Sequence, residues 1–180
     1  VSLFHGVSAW KSVLKSGRSG LVYIFLIGST GPGFVLAIVN TSVANVVFIF
    51  ASIPVFAAVF SLIFLGERLH KRTMLTISFV VLGIAVIAFG SNSSGGSSLK
   101  GDLWALYVSI AYAGALTAIR GVKEISMIPA IPIAYIGASL LIGVKYTPFS
   151  AIELNWYLLL CHGIFIGAAT CLLTLGPRYL

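Results

Sequence analysis

Charge is scarce in this sequence. Asp and Glu together number four, and all charged residues make up 8% of the 180. Soluble domains carry about 25%, so a chain wetted on every side is excluded. Hydrophobic residues reach 59%, the composition of a protein whose solvent is a bilayer. Cysteine is scarcer still, with Cys161 and Cys171 alone. Ten residues apart in one apolar run, they stand about 15 Å apart along a helix, too far for a disulfide. His162 has no second His and no carboxylate at ligand spacing, which argues against a metal site. The Gly-rich stretch Gly28-Ser29-Thr30-Gly31-Pro32-Gly33 is not followed by Gly-Lys-Ser/Thr, so it is no phosphate loop. The first residue is Val, and VSLFHG lacks the basic-then-apolar layout of a signal peptide. The chain reads as an internal piece of a longer protein.

What is present is apolar length. Spanning a core of about 30 Å takes about 20 mostly apolar residues in a helix. Six such runs occur: Gly20–Val39, Ser42–Leu65, Thr73–Gly90, Leu103–Ile119, Ile125–Val144 and Trp156–Leu175. None contains Asp, Glu, Lys or Arg, and none alternates as an outer-membrane barrel strand does, so they are predicted to be helices. The eleven Lys and Arg residues collect in the connections. Counting spans puts Lys11, Lys15, Arg18, Arg68, Lys71, Arg72, Arg120, Lys123 and Arg178 on one side, against Lys100 and Lys145 on the other. Positive-inside bias then makes the 66–72 loop cytoplasmic and the 91–101 loop external. The net charge of +7 is thereby a topology signal, and nucleic acid is not an expected partner.

Sliding the chain on itself by 139 residues lays Gly28 on Gly167 and Tyr23 on His162, with matching hydropathy. The matched segments run in opposite directions through the membrane, the inverted-repeat plan of many secondary transporters. The Ser/Gly stretch Ser91–Ser98 divides the halves. A unit of this length implies about ten helices in all, with about one and a half missing before Val1 and about two after Leu180.

The segment NTSVANVVFIFASIPVFAAVFSLIFLGERLHKRTMLTISFVVLGIAVIAFG, residues 40–90, resembles the EamA-type ten-helix members of the drug/metabolite transporter superfamily. The shared pattern is a Thr-Ser-Ala-like turn, an apolar helix with a central Pro, a Gly-Glu-Arg junction and a closing helix. GDLWALYVSIAYAGALTAIRGVKE resembles the start of that family's second repeat, and TLGPRYL its approach to helix 9. The resemblance implies an all-α polytopic bundle with two inverted repeats. Residues 1–90 would be the end of helix 2 through helix 5, 91–101 an external linker, and 102–180 helices 6 to 8. It implies a carrier of small metabolites, often an exporter, working by alternating access with no cofactor, in the plasma membrane and here the bacterial inner membrane. Its partners would be a small solute, membrane lipid and a second copy of the chain. The family's Gly-Glu-Arg motif is structural or gating, which falls here on Glu67 and Arg68.

Polar groups within the spans are the candidate site. An Asn in hydrocarbon costs several kcal/mol unless paired, about the cost of any unsatisfied amide, so Asn45 faces protein or a wet cavity. Ser52 lies seven residues on, on the same face. Pro54 removes a backbone donor opposite Phe50 and predicts a bend there, with Ser52 or a solute meeting the freed carbonyl. The 28–33 stretch predicts a locally opened helix, with Ser29 and Thr30 lining a cavity and Gly31 and Pro32 as a hinge. His162 is expected to face Tyr23 across the repeat axis, with Tyr107 and Tyr112 beside the path and Trp104 and Trp156 at the interfaces. Asp102 after Gly101 is read as a helix N-cap, and Asn92-Ser93-Ser94 as a formal glycosylation triplet. Packing glue remains the alternative for the polar groups, and a non-transporting scaffold or assembly protein the alternative function. An enzyme would need a nucleophile with a base, and His162 has no such company.

Overall fold

A computed structural model describes residues 13, 15–68, 70–91, 98–122, 125–143 and 150–179, excluding the side chains of 88, 90, 91, 141–143, 150–155 and 177–179. The linker residues 92–97 with the Asn92-Ser93-Ser94 triplet, and Lys11, Lys123 and Lys145, lie outside the described residues. Among the described residues seven helices follow in order: α1 (Gly17–Asn40), α2 (Val43–Phe50), α3 (Ile53–Leu65), α4 (Lys71–Ser91), α5 (Leu99–Arg120), α6 (Ala130–Gly143) and α7 (Ser150–Tyr179). Among the described residues, four helical stretches are long and apolar enough to cross a membrane: Gly17–Asn40, Val43–Leu65, Leu99–Arg120 and Trp156–Gly176. Ala130–Leu140 is apolar but shorter. The fold is an all-α polytopic membrane bundle.

Three spans differ from expectation. The second does not bend at Pro54; it breaks at Ala51–Ser52 into α2 and α3, and Pro54 falls in the first turn of α3. A Pro there has no bond to lose, so stopping the helix just ahead of it costs less than kinking through it. The fifth begins at Ala130 rather than Ile125, because Pro129 and Pro132 fit only at a helix start. The first is not opened at Gly28–Gly33: α1 runs through the whole stretch, with Pro32 inside it. Its glycines serve close approach instead. A Cβ on Gly28 would lie 2.8 Å from the Ala134 carbonyl oxygen, and one on Gly33 2.7 Å from Val108 Cγ2.

The described residues pack as two units, one formed by 29–117 and one by those up to Gly28 together with those from Ala118 on. In the 29–117 unit, α4 packs on α2 and α3. Its centre is Ala37, Val46, Ile49 and Ala105, flanked by Phe34, Phe50 and Trp104. In the other unit Tyr23 on α1, Ala134 on α6 and Thr174 on α7 are buried. Large apolar side chains such as Phe25, Val39, Phe79, Phe165 and Leu172 point outward. That surface is a liability in water and ordinary in lipid, where helices associate through packing and hydrogen bonds.

Candidate functional site

The polar side chains of the spans gather where helices meet. At the junction of α1 and α2, Thr41 and Asp102 are each only 5% exposed. The Thr41 hydroxyl donates to Asp102 Oδ1 at 2.7 Å. Asn45 Nδ2 donates to Thr41 Oγ1 and to Asp102 Oδ1, both at 3.3 Å. Beside them the Asn40 carbonyl accepts from the Ser98 hydroxyl at 2.7 Å and from the Ser98 amide at 3.1 Å. A Cβ on Gly101 would sit 2.6 Å from Thr41 N, so only glycine lets α5 start this close to the turn.

Asp102 is therefore not the N-cap. Helix α5 begins at Leu99, the Gly101 amide donates to Ser98 Oγ at 3.4 Å, and the Asp102 amide donates to the Ser98 carbonyl at 3.2 Å. Ser98 does the capping one turn earlier, which leaves the Asp102 carboxylate for the junction.

Below lies the apolar layer of Ala37, Val46, Ile49 and Ala105, and below that the break in the second span. The Ile49 carbonyl, at the end of α2, accepts from the Ser52 amide at 3.0 Å and the Ser52 hydroxyl at 2.5 Å, and the Ser109 hydroxyl of α5, its one hydrogen shared with the Ala105 carbonyl at 3.1 Å, lies 3.2 Å away. Ser52 and Ser109 are fully buried. Ser52 thus meets Ile49, where Phe50 was expected. An interrupted helix in lipid needs its carbonyls met from within the protein, and Ser52 at the break meets this one twice.

In the other unit, the Tyr23 hydroxyl lies 2.8 Å from Thr174 Oγ1, and Tyr135 lies 3.4 Å from Thr170 Oγ1. Thr174 is twelve residues beyond His162, about 18 Å along α7, so Tyr23 and His162 do not meet. His162 is exposed. Of the remaining candidates, Thr30 is buried, Ser29, Gly31 and Pro32 are half-buried, and Pro54 is exposed. Tyr107 is 37% exposed, edge-on to Trp104 at 5.8 Å between centroids. Glu67 and Arg68 are exposed in the turn after α3, where the Glu67 amide donates to the Ser61 carbonyl at 3.3 Å. The structure brings Asn45 together with Thr41 and Asp102, and ties Ser52 to the end of α2. Thr41, Ser109, Thr170 and Thr174 were not foreseen. Thr170 and Thr174 carry a signal, a four-residue hydroxyl spacing in an apolar span; Thr41 and Ser109 carry none without their partners.

Residues 2–89 match the model of the EamA-like transporter family. This segment, 88 of the 180 residues, is EamA-like. The match takes in α1 to α3 and nearly all of α4, and so the break, Thr41 and Asn45. No curated protein and no solved structure matches the chain. EamA is a family of membrane transporters, and the multi-pass helical fold agrees with it.

Proposed function

We propose that this chain, EamA-like over residues 2–89, belongs to a secondary transporter that moves a small metabolite or drug-like solute across the plasma membrane by alternating access, as an exporter or exchanger. The family match over residues 2–89 carries the reading. Polar side chains within apolar spans support it, since such groups are costly in lipid and are retained where helices pair or line a path. In this reading Ser29, Thr30, Asn45, Ser52, Tyr107 and His162 line or border the path, and Tyr23 closes one end through Thr174. Gly31, Pro32 and Pro54 absorb bending, and Glu67 with Arg68 forms a cytoplasmic contact. Two inverted repeats meet at residues 91–101 on the external face. The solute, lipid and a second copy of the chain are its partners.

The test is efflux of a metabolite panel from liposomes holding the complete protein. Flux above empty liposomes is expected for some solute, and Asn45→Ala should lower it by more than it lowers folded yield. Flux equal to empty liposomes across the panel would end the proposal.

A further inference from the structure

We infer that α2 is a hinged closing segment of the 29–117 unit, latched by Asp102. Its two ends are built differently. The N-terminal end is held to the start of α5 by the Thr41–Asp102 and Asn45–Asp102 bonds. Those bonds join side chains, and water can replace each of them when they part. The C-terminal end is the helix break, where Ser52 keeps hold of the Ile49 carbonyl through both its amide and its hydroxyl. A rotation of the eight-residue α2 about Ala51–Ser52 therefore breaks no bond within a helix.

Between the two ends lie Val46 and Ile49 of α2, each 1% exposed, against Ala37 and Ala105, each 0% exposed. The fully buried members are alanines on α1 and α5 and branched residues only on α2, with Phe34, Trp104 and Ile87 packed around them. Displacing α2 takes the two largest buried members out of the layer and opens their place to water. Asp102 is then a positioning residue: its buried carboxylate gathers two donors from the opposite side of the contact, and it holds the segment shut without touching solute. The latch rests on the transporter reading for its purpose only, not for its existence.

The experiment reads closure directly, in the full-length protein with Cys161 and Cys171 replaced by Ser. A single cysteine at Val46 is reacted with a membrane-impermeant methanethiosulfonate in membrane sheets open on both faces. Slow labelling is expected with Asp102 in place. Asp102→Ala should raise the rate about tenfold, equivalent to about 1.4 kcal/mol on the closed state. Asp102→Asn, which keeps an oxygen acceptor for Thr41, should fall between. A cysteine at Ala134, buried in the other unit, should stay unlabelled throughout.

An unchanged rate at Val46→Cys overturns the latch, and so does a parallel rise at Ala134→Cys, which would mean general loosening. Should Asp102→Ala not accumulate, Thr41→Val probes the same bond with the carboxylate kept. Failure of both to fold also overturns it, because a latch is dispensable for folding. Changed labelling in a protein that moves no solute would keep the latch and remove the transporter reading. Solute flux with unchanged labelling would do the reverse.

Discussion

A carboxylate 5% exposed at a helix start is tolerable only if donors meet it, and Thr41 supplies one at 2.7 Å. Thr41→Val keeps the shape and removes that donor. Hydrogen bonds to charged groups contribute about 1.5–3 kcal/mol, so unfolding in mixed micelles should shift by about that much, with Thr41→Ser restoring it. The tyrosine contacts carry a hidden direction. Thr174 donates to the Thr170 carbonyl at 2.7 Å, and Thr170 to the Ile166 carbonyl at 2.8 Å. A threonine hydroxyl has one hydrogen, and each is already committed, so Tyr23 donates to Thr174 and Tyr135 to Thr170. Tyr23→Phe removes a donor from a threonine that keeps its own acceptor. Thr174→Val removes both the acceptor for Tyr23 and the donor to the Thr170 carbonyl. The second should therefore lower stability more in the same micelle assay, within the roughly 0.6–1.7 kcal/mol that intramembrane side-chain bonds contribute.

Among the elements, α1 and α6 meet where Gly28 faces the Ala134 carbonyl at 2.8 Å from a would-be Cβ. That neighbour is backbone and cannot step aside, so Gly28→Ala should destabilise by about 1–3 kcal/mol, the usual cost of overpacking. Gly137→Ala, with nothing within 4 Å of its would-be Cβ, is the neutral control on α6 in the same unfolding measurement. The helices themselves were legible in the sequence, because runs of about 20 apolar residues have few other solutions in lipid. The break was only half legible. Pro54 announces that the second span is interrupted, yet the carbonyl left at the break also meets Ser109, a residue of another helix. The polar site was legible as a set of residues and not as a set of pairs. Asn45 and Asp102 are 57 positions apart, Thr41 and Asp102 are 61, and hydropathy holds no record of such contacts. The same blindness made Asp102 look like a cap and set Tyr23 against His162.

For the molecule as a whole, the nine-to-two division of basic residues predicts sidedness. Single cysteines at His70 and Ser94 in a cysteine-free full-length protein should react with an impermeant label from opposite faces, Ser94 from outside. Reaction of both from one face would overturn the span count. The 29–117 unit has one more consequence. Its helix α5 follows the linker in the chain, yet it is joined by Asp102, Ala105 and Ser109 to α1 and α2, which precede it. The peptide link between the halves thus adds proximity to a contact that side chains already specify, and helices in a bilayer can find one another after separate insertion. A gene cut between Ser91 and Ser98, expressed as two polypeptides, should yield a complex that co-purifies, and Asp102→Ala in the second piece should weaken that reassembly before it weakens the uncut protein.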